Sequence, residues 1–195
     1  MLQFITSKSV NYDIAQQARM AIDGGCLWIQ VSNSLPEGTT QKQALQDIKQ
    51  LCEDSEVFLI VDSDVNLAKE MQIHGVHLKP GDMEPGQARE ELGAEAIIGV
   101  DVDTAADILS LKGRDMDYVV IDFDDKHDIE AIAKIVDEVR RDEFDINIVV
   151  RGDIDVPVMY QLKSVGVNGF AMSNKILEAA DPVGATAGIL NALGQ

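Results

Sequence analysis

This 195-residue chain is poor in basic residues. It contains 16 lysine and arginine residues against 34 aspartate and glutamate residues, which gives a formal net charge of -18. Because nucleic acids and anionic membranes are bound through positively charged surfaces, this charge balance argues against both as partners. The same charge opposes binding of a polyphosphate unless a cation or a local basic group compensates for it.

Cysteine and long apolar segments are also scarce. The two cysteines, Cys26 and Cys52, are too few for a disulfide framework, and we expect reduced, structural thiols in a cytoplasmic protein. A catalytic cysteine needs a nearby histidine, and the histidines are far away in the sequence. With no run of eighteen apolar residues, no membrane span is expected. The N-terminus lacks the pattern of a signal peptide, so none is predicted.

Short apolar runs recur along the chain, and stretches with helical periodicity separate them. Most return at intervals of about twenty to twenty-eight residues, the spacing of a strand–helix unit. Eight such units predict a closed (β/α)₈ TIM barrel, with residues 1–195 as one domain. An open doubly wound sheet is the alternative, because periodicity alone does not show closure. The predicted strands cover residues 2–5, 27–31, 57–61, 75–78, 96–100, 118–121, 146–150 and 169–172.

Acidic residues follow most of the predicted strands. Active sites of this fold lie at the C-terminal ends of the strands, so these side chains are candidates for a divalent-metal site or a general base. An aspartate in such a position also caps the helix that follows, and this is the more ordinary role for any single one of them. The aspartates concerned are Asp62, Asp64, Asp82, Asp101, Asp103, Asp122, Asp124, Asp125 and Asp153.

Several segments resemble, in the right order, the sequence pattern of one known protein family. Residues 24–30 (GGCLWIQ) are similar to the family's second strand, GGVxxVQ. Residues 66–83, with NLA, GVHL and DM, resemble its DLA…GVHLGQxDM block, and residues 88–100 resemble AR…LG…IIGVS. The DY at residues 117–118 and GFAMS at residues 169–173 also match. This pattern is that of the thiamine phosphate synthases and thiazole tautomerases, and the resemblance covers roughly residues 14–180, nearly the whole predicted barrel.

The resemblance implies a barrel that uses Mg²⁺ and binds pyrimidine and thiazole phosphates. The synthase of this family joins hydroxymethylpyrimidine pyrophosphate to a thiazole phosphate and expels pyrophosphate. By the resemblance, Asp62 and Asp82 hold Mg²⁺. Buried polar groups satisfied by their neighbours are the alternative interpretation of Gln30 and His77. The residues implied to contact the organic ligands and their phosphates are Gln30, His77, Lys79, Gly152, Ser173 and Asn174.

The chain departs from the family pattern mainly at charged positions. Where the family's QLREK supplies an arginine and a lysine to the pyrophosphate, this chain has QVSNS at residues 30–34. The serine after the fifth strand becomes Asp101, and the threonine- and lysine-containing loop after the sixth becomes DFDDK at residues 122–126. The second glycine after the seventh strand becomes Asp153, whose carboxylate would be a poor neighbour for a phosphate. These changes predict weakened binding of pyrophosphate.

Three functions are consistent with this pattern. A divergent synthase would couple the two heterocycles in thiamine biosynthesis, with altered or lost activity as a variant. A repurposed barrel would bind a metal or a small phosphorylated ligand, and a non-catalytic barrel would bind a pathway intermediate or a protein. We expect a cytoplasmic protein whose partner is a small phosphorylated heterocycle, and a homo-oligomer is compatible with this fold.

Overall fold

The computed structural model describes residues 1–9 and 11–195, and its strands form a closed parallel barrel. Each strand pairs with the next in sequence, and the first pairs with the last. The predicted (β/α)₈ barrel is therefore confirmed, and the open-sheet alternative is wrong. The strands are β1 (Leu2–Ile5), β2 (Trp28–Val31), β3 (Phe58–Asp62), β4 (Gly75–Leu78), β5 (Ile97–Asp101), β6 (Tyr118–Asp122), β7 (Asn147–Arg151) and β8 (Gly169–Met172).

Within the described ranges, helices alternate with the strands, and two follow β8. The first of these two spans a single turn, which is too short to give a periodic sequence signal, and it was not predicted. The helices are α1 (Ile14–Asp23), α2 (Gln41–Asp54), α3 (Val65–Met71), α4 (Pro85–Leu92), α5 (Ala105–Ser110), α6 (Ile129–Arg141), α7 (Val156–Ser164), α8 (Asn174–Leu177) and α9 (Pro182–Leu193).

Side-chain caps explain where several helices begin. Asp13 accepts a hydrogen bond from the backbone of Gln16 and begins α1, and Asp128 does the same for α6 through Ala131. Thr104 begins α5 with a reciprocal capping box. Such a side chain satisfies a backbone N–H that has no partner within the helix.

The apolar core has two layers, one between the strands and the helices and one inside the barrel. Every second residue of a strand points into the barrel. Gly99 leaves room for the ring of Tyr118, since a Cβ at Gly99 would lie 2.1 Å from the ring carbon Cζ. The residues that fill the interior are Ile5, Trp28, Ile60, Tyr118, Val120, Val149 and Ala171.

Both cysteines belong to this packed core. Cys26 and Cys52 are free and buried, as expected for structural thiols. Burial raises the pKa of Cys26 to about 11 and that of Cys52 to about 12, so neither thiol is a ready nucleophile. Of the helices described, none combines the length and the apolar character needed to cross a membrane.

Candidate active site

Charged side chains gather at the C-terminal end of the barrel. Asp62, Asp101, Asp122 and Arg151 are the last residues of β3, β5, β6 and β7, and Lys79 directly follows β4. Because all strands are parallel, these residues meet at one end. We call this group of five residues the mouth.

Asp62 is the most deeply buried charged group of the mouth. The residue is 2% exposed, and both of its carboxylate oxygens have partners. Oδ1 accepts a hydrogen bond from Gln30 Nε2 at 2.5 Å. Oδ2 accepts hydrogen bonds from Lys79 Nζ at 2.5 Å and from the backbone N–H of Asn33 at 3.2 Å. The Lys79 side chain is 35% exposed, so a buried carboxylate is paired with a cation that reaches solvent.

Arg151 lies between two carboxylates. Its guanidinium donates to Asp101 at 2.9 and 3.2 Å and to Asp122 at 2.6 and 2.9 Å. Burial opposes the charge of Arg151, but its hydrogen bonds to Asp122 and Asp101 outweigh burial and raise its pKa above the usual range. A cavity of about 490 Å³ opens beside these three residues, which is within the size range of small-molecule sites.

His77 connects this ion pair to the barrel interior. The imidazole is fully buried, with Nε2 2.8 Å from Asp101 Oδ1 and Nδ1 3.2 Å from the Tyr118 hydroxyl. Burial alone would raise the pKa of Asp101, but the hydrogen bond and charge of His77 and the charge of Arg151 lower it below the usual value. Burial raises the pKa of Tyr118, so its phenol keeps its proton. Because the Asp101 carboxylate can only accept, the proton of the short contact lies on Nε2.

Gln3 joins the two halves of the site. Its Nε2 donates to Gln30 Oε1 at 2.6 Å and to the Tyr118 hydroxyl at 3.2 Å. Buried hydrogen bonds therefore connect the two charged ends of the mouth. The resulting chain of hydrogen bonds runs from Lys79 through Asp62, Gln30, Gln3, Tyr118, His77 and Asp101 to Arg151 and Asp122.

Three of the predicted ligand-binding residues belong to this series of hydrogen bonds. Gln30, His77 and Lys79 share it with Asp62, one of the two predicted metal ligands. Gln30 and His77 are 1% and 0% exposed and have protein partners, so the alternative interpretation as satisfied interior polar groups describes their present state. Their direct contact with a ligand stays a prediction.

The predicted phosphate-binding residues lie at the ends of β7 and β8. Gly152 follows Arg151, and the Ser173 hydroxyl is buried without a hydrogen-bond partner in the described part of the chain. Asn174 Oδ1 accepts a hydrogen bond from the Ser7 hydroxyl at 3.1 Å. Asp153 Oδ1 accepts the backbone N–H of Lys175 at 3.0 Å. The Asp153 carboxylate thus accepts the hydrogen bond of a backbone N–H that could otherwise donate to a bound phosphate.

The two predicted Mg²⁺ ligands do not form a metal cluster as their side chains stand. In the described ranges, no group of three or more histidine, cysteine, aspartate or glutamate side chains could hold an ion. Asp62 is fully engaged with Gln30, Lys79 and Asn33. Asp82 Oδ2 accepts the Lys79 backbone N–H at 2.7 Å. These residues therefore do not fit the divalent cation that the resemblance implies, and the Mg²⁺ requirement itself stays a prediction.

Outside the mouth, two of the acidic candidates have structural roles. Asp64 accepts the backbone N–H of Leu67 at 2.8 Å and begins α3, as its capping interpretation predicts. Asp124 accepts the backbone N–H groups of Lys126 and His127, both at 2.8 Å, and shapes the turn after β6.

Sequence reasoning missed Gln3, Tyr118 and Arg151 as parts of the site. Their signal was the period of two along the strands. Gln3 lies two residues before Ile5 and Arg151 two residues after Val149, and both of these apolar residues fill the barrel. A polar residue in register with an interior position predicts a group inside the barrel or at its mouth.

Comparison with known proteins assigns the chain to a family. The family model for thiamine monophosphate synthase matches residues 2–176. The thiamine-phosphate synthase of Bacteroides fragilis strain YCH46 is 37% identical over 202 residues, which cover 97% of this chain and 98% of that protein. That of Bacteroides thetaiotaomicron is 34% identical, with 97% and 96% covered. Thiamine phosphate pyrophosphorylase from Pyrococcus furiosus has the same fold, with a TM-score of 0.82 at 23% identity over 99% of this chain and 95% of that one. This chain therefore belongs to the thiamine monophosphate synthase family.

Proposed function

We propose that this chain is a transferase of thiamine biosynthesis that joins hydroxymethylpyrimidine pyrophosphate to thiazole phosphate and releases pyrophosphate. The observation that carries the proposal is the meeting of Lys79 and Arg151 with the buried polar groups Gln30 and His77 at one end of the barrel. Support also comes from the near-complete match to proteins named thiamine-phosphate synthase.

The two cations of the mouth suit the leaving group of this reaction. Negative charge develops on the pyrophosphate as its bond to the pyrimidine breaks, and fixed cations stabilise that charge. Lys79 and Arg151 have side chains that are 35% and 26% exposed, so each is accessible from solvent. We assign them to the anionic part of the ligand, beside the cavity that Arg151 lines.

Gln30 and His77 act through their neighbours in this proposal. Gln30 donates to Asp62, and His77 contacts Asp101, so each holds a carboxylate that is itself paired with a mouth cation. We therefore propose them as positioning residues that set the orientation of Lys79 and Arg151. Gly152, Ser173 and Asn174 are proposed to contact a phosphate from the β7 and β8 side of the barrel.

Single-turnover kinetics with enzyme in excess over both substrates tests the proposal. Wild-type protein is expected to form thiamine phosphate, and Arg151→Ala is expected to form it far more slowly. Arg114→Ala is the matched control because its guanidinium pairs with the exposed Glu84 away from the mouth, and it should keep the wild-type rate. Absence of product at high enzyme concentration, with and without Mg²⁺, would overturn the proposal.

A second candidate is binding of a phosphorylated heterocycle without turnover. Two observations favour it: Arg151 is already neutralised by Asp101 and Asp122, and Asp153 occupies the Lys175 backbone N–H. Saturable binding of either substrate, combined with the absence of product in single turnover, would select this candidate.

The location of the protein is proposed from its family membership, and its assembly is a prediction from its fold. We propose a cytoplasmic protein because the chain belongs to a family of biosynthetic enzymes. The homo-oligomer stays a prediction, and sedimentation equilibrium of the purified protein measures it directly.

A further inference from the structure

We infer that the Lys79 ammonium is the built-in cation of this site and takes the place beside Asp62 that a divalent ion would need. The inference deepens the proposed function and rests on it only for the identity of the ligand. Lys79 then offers charged N–H donors to an anionic ligand oxygen without Mg²⁺.

Both carboxylates assigned to the metal by family resemblance serve Lys79 instead. Asp62 Oδ2 lies 2.5 Å from the Lys79 ammonium. Asp82 Oδ2 accepts the Lys79 backbone N–H at 2.7 Å, and the Asp82 N–H donates back to the Lys79 carbonyl at 3.0 Å. Asp82 therefore fixes the turn that carries Lys79, and Asp62 fixes the end of its side chain.

The ammonium has donors left for a ligand. A lysine ammonium carries three N–H donors, and within residues 1–9 and 11–195 its only side-chain hydrogen bond is to Asp62. The side chain is 35% exposed, whereas that of Asp62 is 3% exposed. The remaining donors are thus accessible, while the carboxylate that holds the ammonium is shielded from water. An oxygen of phosphate or pyrophosphate is the ligand chemistry that such donors accept.

A divalent ion and this ammonium compete for the Asp62 carboxylate. Mg²⁺ keeps oxygen ligands at about 2.0–2.1 Å in near-octahedral geometry. To bind Asp62 it would have to displace Lys79 or remain beside a positive charge that repels it. Removing the ammonium should therefore create a divalent-metal site where the wild-type chain has none.

Mn²⁺ binding, measured by the electron paramagnetic resonance signal of free Mn²⁺, tests the inference without any turnover. Wild-type protein should show no Mn²⁺ binding that depends on Asp62. Lys79→Ala and the near-isosteric Lys79→Met should bind Mn²⁺ at least about tenfold more tightly than wild type. The double variant Lys79→Ala/Asp62→Asn should lose the gained binding. Lys42→Ala is the matched control, because Lys42 pairs with the exposed Glu70 at 2.6 Å and its loss should gain no Mn²⁺ binding at the mouth.

Binding of inorganic pyrophosphate by calorimetry gives the second readout. Wild-type protein should bind it equally with Mg²⁺ and with EDTA, and Lys79→Met should bind it more weakly in EDTA. The inference is overturned if wild type binds Mn²⁺ in a manner that Asp62→Asn abolishes, or if neither Lys79 variant gains Mn²⁺ binding. Wild-type protein that makes no thiamine phosphate while its Lys79 variants gain Mn²⁺ would overturn the proposed function and leave the inference standing.

Discussion

The two ends of the barrel differ in what their strands present. At the N-terminal end, Trp28 and Ile97 line an apolar cavity of about 500 Å³, with Leu27 and Phe58 at 62% and 50% exposure. At the mouth, the charged side chains form hydrogen-bonded pairs. The same strands supply both ends: β3, for example, begins with Phe58 and ends with Asp62.

This difference separates folding from ligand binding. Burial of apolar area at the N-terminal end and along the interior stabilises the barrel. The polar groups of the mouth cost free energy to bury and repay it only through their hydrogen bonds. In this fold, residues at the N-terminal ends of the strands serve stability, and residues at the C-terminal ends serve catalysis. Substitutions at the two ends should therefore have different consequences.

The largest expected effect on stability follows Trp28→Ala. Trp28 is 8% exposed and its ring meets that of Tyr118 edge-on, with centroids 4.9 Å apart. Its removal leaves a cavity inside the barrel and should lower the free energy of unfolding by about 3–5 kcal/mol. Urea denaturation measures this loss, with the exposed Phe58→Ala as control. A loss no greater than that of the control would show that the N-terminal end is not the stabilising end.

Arg151→Ala should give the largest effect on function and a smaller one on stability. It removes a cation from the proposed leaving-group site and leaves Asp101 and Asp122 without their shared partner. We expect product formation to fall by about 10²-fold and the free energy of unfolding by about 1–3 kcal/mol. A rate equal to that of Arg114→Ala would show that Arg151 takes no part in the reaction.

Asp101 should make the stability of the folded state depend on pH in the acidic range. Its pKa in the folded state is lower than the ordinary value of 3.8. A carboxyl with a lowered pKa stabilises the folded state above its ordinary pKa, and this stabilisation is lost as the pH falls through the folded-state value. Asp101→Asn should therefore be less stable than wild type at neutral pH, and the difference should shrink below pH 3.8. Unfolding curves across this range measure it, and a constant difference would contradict the pKa argument.

The smallest effect should come from Phe58→Ser. Phe58 is half exposed at the first position of β3, so the free energy of unfolding should change by no more than about 0.5 kcal/mol. Product formation should equal that of wild type. A fall in activity would mean that the N-terminal end takes part in function and would break the comparison between the two ends.

The sequence was sufficient for the barrel because each strand contains a short run of mainly apolar residues, most of them buried. Some strands end one residue later than predicted, at a charged residue. For example, β3 extends to Asp62 and β7 to Arg151. The predicted limits follow the apolar runs, which stop before these charged residues, whereas backbone pairing with the neighbouring strand includes Asp62 and Arg151.

The site was predictable only in part. The resemblance placed Gln30, His77, Lys79 and Asp62 at one end of the barrel, and these residues do meet there. The pairing of Lys79 with Asp62 and of Arg151 with Asp101 joins residues 17 and 50 positions apart in sequence. Which side chains pair depends on where the strands place them around the closed barrel, and no local pattern encodes that.

Calorimetric titration of hydroxymethylpyrimidine pyrophosphate and of thiazole phosphate is the most direct test of the central claim, that the mouth binds phosphorylated heterocycles. We predict saturable binding to wild-type protein and to Phe58→Ser, and at least about tenfold weaker binding to Arg151→Ala. Absence of binding to wild type, or equal binding to wild type and Arg151→Ala, would contradict the account and place the ligand elsewhere.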